Sequence, residues 1–288
     1  MKPIPFCLII SLLLTVTIWA TENTTHIPLL QKDNIPTARY RFGDVPFKPY
    51  IDELRTPSGK NILRDAPWDH LHHHALMYAI RVDGHNFWEE GDLRAGKQVT
   101  IQSRTTSSSI VSEIDWNVPD SKTLLKELRK INVKQESDVT LLDWQSVLKS
   151  VNDVELGGGH YHGLGLRFVE EMDKDGRFFN DTGKNDGEIV RGDERLTRCK
   201  WMAYTAKVDG QPVTVAVFDH PSNPVSMTAF TMGDNGGAFA YLSATMNLHR
   251  VPVKLKGNET FAIHYRVAVW DGEVSPETIE ARYRDFVR

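Results

Sequence analysis

Residues 258–270, NETFAIHYRVAVW, alternate with a period of two, so that Phe261, Ile263, Tyr265, Val267 and Val269 fall on one side of an extended chain. A second stretch, VDGQPVTVAVFDH (208–220), puts Val213, Val215 and Val217 on one face behind an Asp209-Gly210 turn, the pattern of a hairpin. Outward from these strands, turn chemistry recurs at Pro57-Ser58-Gly59, Asp83-Gly84, Asp175-Gly176 and Gly257-Asn258. Short β-rich segments punctuated in this way predict an all-β chain, a large antiparallel β-sandwich. The segment SKTLLKELRKI (121–131) has helical propensity, but it lies between strand-like neighbours. We read it as one arm of a long β-hairpin whose other arm is VTLLDWQSVL (139–148), because strand pairing overrides propensity. SPETIEARYRDFV at the end reads as a short C-terminal helix, with Ser275 as N-cap and Pro276 in the first turn.

The 288 residues carry 34 Lys and Arg against 38 Asp and Glu, a net charge of −4, without basic blocks. Nucleic acid is therefore not an expected partner, since phosphate binding needs clustered cations. The first 20 residues combine Lys2, an apolar run from Phe6 to Trp19 and a small exit residue, Ala20. This predicts a cleaved signal peptide and a secreted or periplasmic protein with no membrane segment in its mature form. A single uncleaved anchor is the alternative. The expected division is a signal peptide at 1–20, an extended lead-in at 21–36 and one sandwich domain at 37–288. After cleavage only Cys199 remains, so no internal disulfide is expected.

The chemistry is expected in the histidines. Four stand in WDHLHHH (68–74), behind Asp69, and two in GGGHYHG (157–163). On extended backbone His70, His72 and His74 share one face and His73 takes the other, while His160 and His162 pair. Imidazoles so grouped suit proton transfer near neutral pH, and His70, His72 and His74 would equally suit a divalent metal ion. We read His70, His72, His73, His160, His162 and Asp69 as the candidate catalytic set. Arg167, Asp219, His220, Trp68 and Trp88 are the candidate substrate contacts. A metal is the one cofactor this set suggests, and its presence is left open.

The run APWDHLHHHALMYA (66–79) followed by VDGHNFWEE (82–90) resembles the signature of PmoA-like proteins, D-H-P-H-H-R-G-L with a later G…FW. Asp69, His70, His72 and His73 match, whereas Leu71, His74 and Ala75 replace the usual Pro, Arg and Gly. GLGLRF (163–168), VAVFDHPSNP (215–224) and YRVAVWDGE (265–273) continue the likeness in order. The resemblance implies a galactose mutarotase-like supersandwich in a secreted protein associated with carbohydrate breakdown. In that setting, histidines and a carboxylate on a concave sheet exchange protons with a sugar. The oxygenase label attached to such proteins belongs to a membrane subunit, and this chain has no transmembrane helix to match it.

Three functional classes follow. The first is an exported carbohydrate-active enzyme working by His and carboxylate acid–base chemistry, as an epimerase, lyase or hydrolase. The second is a non-catalytic sugar-binding module. The third is a metal-dependent oxygenase built on two histidines and a carboxylate.

Overall fold

The computed structural model describes residues 25–288 except 46, 92–93, 120–121, 185–194 and 234–237, together with the backbone of Ile18–Trp19. The expected signal peptide lies otherwise outside the described residues. Two large antiparallel sheets face each other. The nine-stranded sheet runs in the order Ile18–Trp19, Lys97–Thr105, Ser109–Asn117, Thr123–Gln135, Val139–Ser150, Thr260–Asp271, Gln211–Asp219, Trp201–Val208, Arg177–Asn180. The eight-stranded sheet runs Leu196–Arg198, Thr228–Met232, Tyr241–Thr245, Gly163–Arg167, Leu76–Ala79, Tyr50–Leu54, Ile35–Arg41, His26–Lys32. A four-stranded sheet flanks them.

The expected first arm of the hairpin does form a strand, Thr123–Gln135. Thr123–Gln135 pairs along its length with Val139–Ser150, placing Ile131 opposite Trp144. Its odd positions, Leu125 to Val133, turn inward and its lysines outward. Two of those inward positions are Glu127 and Arg129, and they survive burial because each is satisfied. Arg129 donates from Nε to Glu127 Oε1 (2.8 Å) and from Nη1 to the Pro49 carbonyl (2.9 Å), while Trp116 Nε1 donates to Glu127 Oε2 (2.8 Å). Tyr78, Trp116 and Trp144 pack around this network in the main core between the sheets.

The helix Pro276–Phe286 begins as its sequence predicts, with the Ser275 side chain accepting the Thr278 N–H and Pro at its start. It seals a second apolar cluster on the outer face of the nine-stranded sheet, where Ile279 and Phe286 meet Trp201, Phe218 and Ala268. His264, on that face, is half-buried, its ring 4.6 Å from His220 and 4.7 Å from Phe286, because the helix covers it. The lead-in is likewise more than a tail: His26–Lys32 and Ile35–Arg41 form a hairpin at the edge of the eight-stranded sheet.

Candidate functional site

The strand Gly163–Arg167 is buried on both faces. Leu164 and Leu166 share the side of Tyr78, which meets Trp116 of the opposite sheet at 6.0 Å. Gly163, Gly165 and Arg167 therefore point the other way, onto the face turned from the nine-stranded sheet. Opposite them across the strand pair lie Thr245, Ser243 and Tyr241. A Cβ at Gly165 would stand 1.9 Å from the Tyr241 hydroxyl and 2.7 Å from the Trp88 ring. Glycine there lets two aromatic rings settle on the sheet, and these rings floor the site.

Over that floor folds the histidine loop, which is not extended. His70 N–H donates to the Pro67 carbonyl and His73 N–H to the His70 carbonyl, both at 2.9 Å, giving two successive turns. The turns replace the alternation expected of a strand. They gather His70, His72 and His73: the His70 and His73 rings stack at 4.6 Å, and His72 meets His73 edge-on at 4.6 Å. His73 in turn stacks on Tyr241 at 5.2 Å and approaches Trp88 at 6.3 Å. Trp88 lies flat against His162, 5.2 Å away and 9° from parallel. The two histidine segments thus converge through Trp88. His160 sits at the far end, against Tyr161 and Phe230.

Burial divides the histidines by role. It pushes the His73 imidazole down to about 2 and that of His162 to about 3, so both are held in the neutral form. His72 is less buried, and desolvation followed by the nearby Lys48 charge lowers it more modestly. His70 is half-exposed.

His74 leaves the group. It was grouped with His70 and His72 as a metal ligand, but the turns swing it beneath the loop, where both ring nitrogens are held by carboxylates. Nδ1 lies 2.8 Å from Asp65 and Nε2 3.1 Å from Glu90. Burial lowers its affinity for a proton, yet the two carboxylates outweigh that and raise it above the ordinary histidine value. Both ring nitrogens are thereby already engaged. Among the described residues no group of three or more His, Cys, Asp or Glu side chains is arranged to hold a metal ion.

Arg167 is 1% exposed and stacks on Phe239, its guanidinium carbon 3.7 Å from the ring centroid. Its Nη2 donates to Asp69 Oδ2 at 3.3 Å and lies 3.9 Å from Asp173 Oδ2, while Nε and Nη1 have no acceptor among the described residues. Asp69 Oδ1 is equally without a donor, and its Oδ2 stands 3.1 Å from His70 Nδ1. Burial favours the neutral form of Asp69, but His70 and Arg167 prevail and keep it ionised. Beside this cluster the Trp68 indole is 86% exposed.

Asp219 and His220 do not join it. Asp219 accepts from Asn223 Nδ2 (2.7 Å) and Met227 N–H (2.9 Å), and His220 pairs with Ser222 and packs on His264. They close the turn after their strand, next to the C-terminal helix, away from the histidine loop. Sequence reasoning missed Lys48, Asp65, Glu90, Asp173, Phe239 and Tyr241. Glu89-Glu90 reads as a solvated pair, yet Glu90 is taken by His74 and the buried Lys48. None of the others carries a local motif.

This is a two-sheet antiparallel sandwich carrying a histidine, arginine and carboxylate cluster on an outer sheet face. Residues 29–284 match the model described as "Family of unknown function (DUF6807)", and the chain belongs to that family. The PmoA-like resemblance finds no support in this match. No curated protein matches the chain. Among solved structures it is similar to a putative aldose 1-epimerase from Escherichia coli K12, at 9% identity and a TM-score of 0.40 over 88% of this chain and 100% of that one. It is also similar to an α-galactosidase from Lactobacillus brevis, at 11% identity and a TM-score of 0.38 over 94% of this chain and 36% of that one. A GH36 α-galactosidase from Geobacillus stearothermophilus matches at 12% identity and a TM-score of 0.36, over 85% of this chain and 32% of that one. The chain thus spans about a third of the length of these α-galactosidases.

Proposed function

We propose that the chain is an exported carbohydrate-active enzyme that moves protons on a sugar or glycoside with histidine and carboxylate groups. The observation that carries this reading is the Arg167–Asp69 pair, a buried arginine with two donors lacking partners beside a carboxylate oxygen lacking one. Buried polar groups in folded proteins are nearly always paired, so such a set is complementary to a ligand. A sugar hydroxyl both donates and accepts, and its ring offers a flat C–H face to an indole such as the exposed Trp68. His70 and His72, at the open side of the cluster, are the groups that exchange protons with that ligand. His73, His162, Trp88 and Tyr241 form the wall that fixes them.

The test replaces His72 with Ala and follows both binding and turnover on free aldoses and 4-nitrophenyl glycosides. The enzyme reading predicts retained binding with turnover lowered about 100-fold or more, the usual weight of a general acid or base. Unchanged binding by a wild type that turns over no sugar would instead make the same face a sugar-binding module.

A further inference from the structure

Asp173 ends the short helix Glu170–Asp173 and belongs to no motif the sequence displays. The fold brings its carboxylate to the same arginine nitrogen that Asp69 occupies, Nη2 of Arg167, at 3.9 Å against 3.3 Å. The side chain is pinned from the other end: Asp173 Oδ1 accepts the Ala240 N–H at 2.8 Å, in the segment that also supplies Phe239 beneath Arg167. Two carboxyl groups therefore flank one buried guanidinium whose Nε and Nη1 are unpartnered.

We propose that Asp173 is a further proton donor of this site and Asp69 its partner acceptor, the two working beside His70 and His72 on one substrate held at Arg167. The inference rests on the carbohydrate reading above and adds its second carboxyl group. Environment separates the pair in the required direction. Burial raises the Asp173 carboxyl above the ordinary aspartate value, and the charge of Asp69 adds to that rise. The Ala240 N–H, Arg167 and Arg64 oppose it without cancelling it. Asp69 is held below the ordinary value, as described. Carboxyl pairs pushed apart in this way divide acid and base roles between them. In the step, the Asp173 O–H bond breaks and its proton passes to a substrate oxygen, while a proton from a substrate O–H or C–H forms a new bond to Asp69. The pair ends with its protonation reversed and is reset by exchange with water, for which His70 stands 3.1 Å from Asp69 Oδ2. The charged groups facing Asp173 are Arg167 on its strand, Arg64 on the preceding segment (3.8 Å) and Asp69 on the histidine loop. Glu170 of its own helix reaches it only through Arg64, at 3.5 Å.

The test uses the purified whole chain and two readouts. Carbon-13 titration of the aspartate carboxyls is expected to place Asp173 above Asp69, and Asp69→Asn to bring Asp173 back down. Equal titration points, or an Asp173 unmoved by Asp69→Asn, overturn the proposal. Turnover of free aldoses and 4-nitrophenyl glycosides is expected to fall about 100-fold in Asp173→Asn, with loss of the high-pH limb of the pH profile. Asn keeps the Oδ1 acceptor for Ala240, and an unshifted Ala240 amide resonance verifies the fold. Full turnover by Asp173→Asn removes this role and leaves the carbohydrate reading standing. No turnover by the wild type removes both.

Discussion

The contrast between His73 and His74 shows how little of a histidine's chemistry its neighbours in sequence determine. The two are adjacent, yet burial holds one neutral while two carboxylates raise the other's affinity for a proton. His74 stabilises the fold as a cation, with its folded value raised above the ordinary one. Its contribution is therefore full below about pH 6.5 and is lost as pH rises through the raised value. Asp65 and Glu90 are lowered, despite burial, by their bonds to His74 and other partners, and their contributions fade as acid protonates them. His74→Gln is expected to flatten the alkaline decline in Tm measured from pH 6 to 10. It is also expected to cost about 3 kcal/mol at pH 6, because the carboxylates lose their shared cation. Gly165→Ala is expected to cost about 1–3 kcal/mol in urea unfolding and to alter the near-ultraviolet circular dichroism of the Trp88 and Tyr241 stack. The composition of the cluster was legible in WDHLHHH and GGGHYHG. Its geometry was not, since hydrogen bonds from His70 and His73 to carbonyls three residues back turn a loop that alternation treats as a strand.

Among the elements, those with period-two burial were legible and those decided by distant partners were less so. Asp209 and Gly210 both take positive φ, 53° and 70°, as a two-residue hairpin turn requires. Asp33 and Asn34 do the same at 52° and 65°, and this turn makes a hairpin of what reads as a lead-in. The strand at 123–135 hides its period because Glu127 and Arg129 occupy inward positions and only their mutual satisfaction admits them. Arg129→Met is expected to lower stability by about 3–5 kcal/mol in urea, since it strands the Glu127 carboxylate, and to do so more than replacing both residues by apolar ones. At the C-terminal helix, His264 sits against Phe286, and burial followed by the neighbouring His220 lowers it to about 4. A lowered histidine stabilises only while neutral, so its contribution declines as pH falls from about 6.5 toward 4. Amide exchange in residues 279–286 is expected to accelerate over that window, and to do so less in His264→Gln.

Across the whole molecule, one outer sheet face collects side chains from loops far apart in sequence. Arg167 comes from the sheet itself, His70 and His72 from one loop, and Trp88 and His162 from two more. Asp173 arrives from a short helix that follows the central strand. That assembly is a property of topology, which is why the histidines could be picked out of the sequence while Asp173, Phe239 and Tyr241 could not. It is also why Asp219 and His220, equally polar and next to a proline, belong to a turn at the other sheet.

The most direct measurement is a backbone and side-chain NMR map of the full chain titrated with neutral aldoses and short oligosaccharides. The account predicts that at least one of them binds, and that its perturbations centre on Trp68, His70, His72 and Arg167 and vanish in Arg167→Ala. Perturbations centred on the groove beside Arg177, Phe179 and Pro276 instead, or a response in Arg167→Ala equal to that of the wild type, would contradict it.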